Sequence, residues 1–209
     1  MARKKRIWYP GAMYHVMSRG NRRTEIFRDA SDHLRFLECV QIIKEKHPFH
    51  IHALCLMTNH FHIAVETKEI ELWRIMQKIL SLYAEEFNHK YNFTGHVFEG
   101  RYTACLIENE RYFLEVSRYI HLNPVKAQMV RAPQEYDYSS YGLFVPRGKK
   151  LGKADQIISK LVNTSRVLEY FGNDPNEQYR MFVESRIAHT EQEQMIQKEM
   201  NEDDMWLPA

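Results

Sequence analysis

The 209-residue sequence is 44% hydrophobic and 27% charged, with 8 Gly and 7 Pro, which excludes a disordered or collagen-like chain and suits a globular domain with an added segment. A formal net charge of +2 hides an uneven layout: residues 1–28 are strongly basic with Glu25 as their single acid, whereas residues 184–209 are strongly acidic. No apolar run approaches the roughly 18 residues of a membrane helix, no signal-peptide pattern follows Met1, and Cys39, Cys55 and Cys105 form no CxxC pair; a reduced cytoplasmic protein without membrane attachment is expected.

Met13–Arg19 alternates and stops at Gly20-Asn21, which predicts a strand. Asp29 or Ser31 then caps a helix whose apolar positions Leu34, Leu37, Val40 and Ile43 recur at helical spacing and which ends before Pro48. Phe49–Leu56 and His60–Glu66 are strand-like runs around the short turn Met57-Thr58-Asn59, a predicted hairpin. Ile70–Tyr91 is the longest amphipathic pattern, a helix broken by Gly95, and His96–Ile107 reads as a strand with Gly100 as a bulge. Asn109 or Glu110 opens a further helix through Tyr119, which Pro124 closes.

The order β-α-β-β-α-β-α predicts an α+β, ferredoxin-like split βαβ fold, an antiparallel sheet with helices on one face. Residues 1–132 would form this domain and residues 133–209 a C-terminal extension. In the extension, Tyr136–Phe144 is loop-like and Pro146–Lys150 is a basic linker. Ala154–Phe171 and Asn176–Ile187 are helical in pattern, and the last twenty residues are polar, acidic and mobile by composition.

Two constellations carry chemistry. In a strand, residues two apart share a face, so His60 and His62 project together while Phe61 turns to the core, giving a ready edge for a divalent metal. Two polar residues on a solvated strand face explain the same pattern, and His50-Ile51-His52 repeats it on the neighbouring strand. Pairing of the two strands would even permit a zinc-like cluster, with Glu66 as a further conceivable ligand. The second constellation is Tyr119-Ile120-His121-Leu122-Asn123-Pro124. Tyr119 and Asn123, four apart, lie on one face of the helix end, and Pro124 biases Asn123 away from helical geometry. Tyr112 shares nearly the same face as Tyr119 and is its natural competitor.

The segment Leu56-Met57-Thr58-Asn59-His60-Phe61-His62, followed by Arg118-Tyr119-Ile120-His121-Leu122-Asn123-Pro124-Val125-Lys126-Ala127, resembles the signature of REP-associated tyrosine transposases, HUH single-strand transposases with one catalytic tyrosine. Tyr14-His15-Val16 through Arg23, Gly95–Tyr102 and Ser139-Ser140-Tyr141 match in the same order, over about residues 8–145. The resemblance implies a ferredoxin-like fold with His60, His62 and Asn123 as ligands of Mg²⁺ or Mn²⁺ and Tyr119 as the nucleophile. It also implies cleavage and joining of single-stranded DNA hairpins, repeat palindromes, through a covalent 5′-phosphotyrosine, by a monomer or homodimer. Thr58 stands where the family often has Pro, and Lys126 where it commonly has Arg. Arg19, Arg22, Arg23, Arg101 and Lys126 would meet phosphates, and Tyr102 would offer a stacking plane to a base. A non-catalytic hairpin-binding protein or repressor on the same fold is the alternative. Retention of Tyr119, both histidines and Asn123 together argues against it.

Overall fold

The structure, a computed structural model, describes residues 7–145, 148 and 151–187. Strands β1 (Met13–Arg19), β2 (Phe49–Leu56), β3 (His60–Thr67) and β4 (Thr103–Leu106) form one antiparallel sheet in the order β2-β3-β1-β4. Helix α1 (Ala30–Lys46) joins β1 to β2, and α2 (Leu72–Tyr91) joins β3 to β4. This is the ferredoxin-like α+β topology that the hydrophobic pattern predicts. Helix α3 (Glu110–Lys126) follows β4, and α4 (Tyr141–Phe144), α5 (Lys153–Leu161), α6 (Ser165–Leu168) and α7 (Pro175–Glu184) complete the described chain. Among the described residues no helix is long and apolar enough to cross a membrane.

Strand alternation sorts the side chains into two faces. Residues directly opposite in an antiparallel pair share a face, so Phe61 lies with Ser18, and Ile63 with Val16 and Ala104. That apolar face packs against α1 and α2, with the Phe36 and Phe61 rings 4.8 Å apart. The opposite face carries His15, Met17, Arg19, His60 and His62, and α3 lies over it. Asp29 caps α1 by accepting from the amides of Ser31 and Asp32, and the Lys90 ammonium at the end of α2 bridges Asp29 (2.8 Å) and Asp32 (2.6 Å).

Several predicted boundaries move, each for a local reason. The strand expected over His96–Ile107 pairs only from Thr103, because residues 96–102 form an arm that buries Val97, Phe98 and Tyr102 and meets the chain at the end of β1 through an isolated Gly20–Phe98 bridge and a Glu99 amide that donates to the Arg19 carbonyl (2.9 Å). Helix α2 stops at Asn92, which adopts a left-handed conformation (φ 54°), before Gly95 is reached. Pro124 does not close α3. The helix runs through it to Lys126, and the Asn123 side-chain amide donates to the Tyr119 carbonyl (2.9 Å), so Asn123 stays helical. A proline there removes a single backbone bond, and burial of Ile120, Leu122 and Pro124 outweighs that loss. The pattern over Ala154–Phe171 splits into α5 and α6, where Val162 bridges Ile51 and the Asn163 amide donates to the Ile51 carbonyl.

The segment after Pro133 is not a free loop. The Leu56 amide donates to the Tyr138 carbonyl (3.0 Å), the Ser140 amide to the Leu54 carbonyl (2.9 Å), and the Tyr136 hydroxyl to the Leu56 carbonyl (2.7 Å), which stitches it along the outer edge of β2. From this edge Ser140 reaches the fully buried His121 (2.8 Å), whose other ring nitrogen lies 2.7 Å from the Tyr179 hydroxyl of α7. The helix that carries Tyr119 and Asn123 is thereby braced from behind. The predicted acidic tail lies outside the described residues, as does most of Pro146–Lys150.

Candidate functional site

The site is built where the start of β3 meets the C-terminal half of α3. Alternation brings His60 and His62 onto one face, with ring centroids 5.1 Å apart. His62 is buried and His60 half-buried. Each imidazole is held through Nδ1. His60 Nδ1 lies 2.7 Å from Asn59 Oδ1, and His62 Nδ1 lies 3.0 Å from His15 Nε2 on β1. Asn59 has only one way round, because its Nδ2 donates to the Arg23 carbonyl (3.1 Å). Its oxygen therefore faces His60, the His60 proton sits on Nδ1, and the Nε2 lone pair is left for a ligand.

Tyr119 comes to this pair from α3. Its ring meets His62 edge-on at 5.3 Å between centroids and His15 at 5.6 Å. The Lys126 ammonium, two turns further along α3, stands 4.4 Å from the centre of the Tyr119 ring. Tyr112 lies seven residues earlier, roughly 10 Å back along the helix axis, and is buried. Asn123 uses its nitrogen on the Tyr119 carbonyl, which leaves its oxygen as the free acceptor of the amide.

Electrostatics keep the imidazoles neutral. Burial pushes the His60 ring down to about 4, with the Arg19 charge adding to the effect, and burial pushes His15 down to about 3. His62 is held well below the ordinary imidazole range by burial first, then by His15, His60, Arg19 and Lys126. A neutral imidazole keeps a lone pair, so the same setting that disfavours a proton leaves the rings open to a metal ion.

The donors fit a divalent ion. Among the described residues no group of three or more His, Cys, Asp or Glu side chains is set to hold a metal. The Asn123 amide oxygen, one turn beyond Tyr119 on α3, is a neutral donor of another type. Two imidazoles and a neutral oxygen leave positions for water and phosphate oxygens, which suits Mg²⁺ or Mn²⁺ better than a closed zinc site. The four-histidine cluster does not form. His50 pairs with Glu66 at the far end of β3, roughly 20 Å along the strand from His60, and Glu66 is engaged by His52 Nε2 at 2.7 Å.

Basic residues surround the histidines unevenly. Arg19 ends β1 directly opposite His60. Arg22 and Arg23 follow in a tight turn with left-handed backbones (φ 53° and 61°), both exposed. Gly20 opens that turn, where a Cβ would stand 2.1 Å from the Thr24 carbonyl oxygen. Arg101 is exposed on the arm before β4. Tyr102 corrects the sequence reading: it is only 5% exposed, since the arm folds its ring into the core, so it offers no face to a base. The basic Arg3–Arg6 run lies outside the described residues.

His15 and Asn59 were not among the residues singled out as the site, yet both touch it. The signal for His15 was present: on an alternating strand with Tyr14 and Val16 facing the core, His15 must face the other way. Nothing in the spacing of Asn59 announces its two hydrogen bonds, to His60 and to the Arg23 carbonyl, which only the folded hairpin creates.

A family model described as IS200-like transposase matches residues 9–123. Among solved structures, the fold is similar to a REP-associated tyrosine transposase bound to a REP hairpin, with TM-score 0.60, 22% identity, 74% of this chain and 90% of that chain covered. A candidate transposase of Deinococcus radiodurans R1 matches with TM-score 0.38 and 15% identity over 61% of this chain and 92% of that one. The tRNA(His) guanylyltransferase of Saccharomyces cerevisiae matches with TM-score 0.43 and 9% identity, covering 84% and 82%. No curated protein matches the sequence.

Proposed function

The chain belongs to the IS200-like transposase family, and on that premise we propose that it is a metal-dependent single-stranded DNA endonuclease and strand transferase acting on hairpin repeat DNA through a covalent 5′-phosphotyrosine. The observation that carries this reading is the approach of Tyr119 to His62 within one chain. A phenol beside a metal-ready histidine pair, flanked by Arg19 and Lys126, supplies a nucleophile and positive charge for a phosphodiester in one place.

In this reading His60, His62 and Asn123 would hold Mg²⁺ or Mn²⁺. When bound, the ion supplies Lewis-acid neutralisation of charge that develops on the scissile phosphate. Tyr119 Oη attacks phosphorus in line and loses its proton as the new P–O bond forms. The bond to the 3′ oxygen breaks, and that oxygen takes up a proton to leave as a 3′-OH. The phosphotyrosine keeps the phosphodiester energy, so a second 3′-OH reverses the step and joins a new strand. Arg19, Arg22, Arg23, Arg101 and Lys126 meet backbone phosphates. Residues 1–132 form the catalytic unit, and the described part of residues 133–209 braces α3 through His121.

The test is a panel of single-stranded hairpin oligonucleotides incubated with the protein, with and without Mn²⁺, and resolved on a denaturing gel. A metal-dependent covalent adduct is expected from the native chain, absent from Tyr119→Phe and retained by Tyr112→Phe. Tight binding without any adduct would identify a hairpin-binding protein instead, and cleavage retained by Tyr119→Phe would place the nucleophile elsewhere.

A further inference from the structure

We infer that His15 is a positioning residue for metal binding, accepting the Nδ1 proton of His62 so that the His62 Nε2 lone pair faces the cation. The inference rests on the reading of His60 and His62 as ligands and concerns a residue outside that set.

The contact itself couples the two rings. His15 Nε2 and His62 Nδ1 lie 3.0 Å apart, and two imidazole nitrogens at that distance share one proton, since two lone pairs or two N–H groups would repel. If His62 Nδ1 carries the proton, His62 Nε2 is bare and can ligate. If His15 Nε2 carries it, the neutral His62 ring has its own proton on Nε2 and cannot. Whatever sets this choice sets the competence of the site.

The fold leaves His15 little freedom to do anything else. It is 1% exposed, so water does not compete for its Nε2. It sits diagonally across from His62, with the small Ala64 directly opposite it on β3, and the Tyr119 ring abuts both imidazoles. Its other nitrogen, Nδ1, is buried with no hydrogen-bond partner. Buried polar atoms without partners are uncommon, and an apolar side chain at this strand position would avoid one altogether. The bond to His62 is the return for that cost. Asn59 performs the same office for His60, so both histidines are gripped at Nδ1 and both present Nε2. Such outer contacts on a ligating histidine typically account for 10–100-fold in metal affinity.

The test measures Mn²⁺ binding to the full chain by the loss of the free-ion paramagnetic resonance signal, in the native protein and in His15→Phe, His15→Gln and His62→Ala. His15→Phe, which keeps the ring volume, should bind Mn²⁺ about 10–100-fold more weakly. His15→Gln, whose side-chain oxygen can accept the same proton, should recover most of the affinity. Histidine ¹⁵N shifts of the native protein with Mg²⁺ should show His62 protonated on Nδ1, a readout that does not depend on any variant folding. Equal Mn²⁺ affinity in folded His15→Phe, or a His62 protonated on Nε2 in the Mg²⁺-loaded native chain, would overturn the inference while leaving the ligand assignment intact. Unchanged binding by His62→Ala would instead remove the ligand assignment, and this inference with it.

Discussion

The Tyr119 ring stands perpendicular to the His62 ring of its own chain, 5.3 Å between centroids. The proposed nucleophile and the proposed ligand pair therefore meet without help from a second copy. A mixture of two inactive variants, Tyr119→Phe and His62→Ala, can regain a working site only if one chain lends its tyrosine to the other's histidines. The expected outcome is no phosphotyrosine adduct from the mixture at any ratio, read on a denaturing gel. An adduct at a substantial fraction of the native level would show that α3 exchanges between copies.

Asn59 links two parts of the site that are far apart in sequence. Its oxygen orients His60, and its nitrogen holds the Arg23 carbonyl at the turn of exposed arginines. Asn59→Ala should lower Mn²⁺ affinity about 10–100-fold by freeing the His60 ring. Asn59→Asp keeps an acceptor for His60, now anionic, and replaces the donor to Arg23 with a second oxygen, so its metal affinity should stay at or above the native value. Titration of Mn²⁺ into the two variants separates them, and equal losses would mean that the turn, and not the imidazole, is what Asn59 supports.

Most of the fold was legible because the signals were local. Strand β1 follows from alternation, the two hairpin strands from strand-like runs around the Met57-Thr58-Asn59 turn, and α1 from its Asp29 cap and apolar spacing. The failures share a cause in tertiary packing. Pro124 is a helix stop by local rules, but the buried face of α3 and the Asn123 side chain carry the helix past it. Tyr102 looks like an exposed aromatic beside Arg101 until the arm from Gly95 turns it inward. The histidine pair and Tyr119 were readable as motifs. Their Nδ1 partners were not, because His15 lies 47 residues from His62 and meets it only when β1 and β3 pair.

The arginine turn makes a prediction about salt. Arg22 and Arg23 are exposed and hold left-handed backbones, which Asn tolerates better than most residues. Replacing both by Asn removes two charges while sparing the turn. For single-stranded DNA each lost phosphate contact lowers the slope of log affinity against log salt by about 0.7. If both arginines meet phosphates, the double variant should show a slope shallower by about 1.4 for contacts to unpaired strand and about 1.8 for contacts to the duplex stem, measured by fluorescence anisotropy with a hairpin oligonucleotide. An unchanged slope would assign them to solvated surface.

Acid should destabilise the protein through a histidine remote from the site. The His33 ring is stacked against Tyr138 (3.7 Å between centroids) and Phe27 (4.8 Å), with Nδ1 3.0 Å from the Asp29 carbonyl oxygen and Nε2 buried without a partner. Burial lowers its pKa, and the nearby Asp29 and Asp32 only temper that effect. A histidine whose folded pKa lies below its unfolded value of about 6.5 contributes full stability above that pH. As pH falls below it, the unfolded chain takes up a proton that the folded one refuses, and stability drops by at most about 1.4 kcal/mol per pH unit until the folded pKa is reached. His33→Phe preserves the stack and abolishes this proton uptake, at the cost of the bond to Asp29. Urea unfolding at pH 7, 6 and 5 should therefore show the native protein losing stability more steeply than His33→Phe, even where the variant starts lower at pH 7. Parallel declines would mean that His33 protonates as readily in the folded chain as in the unfolded one, and the acid sensitivity would then belong to other groups.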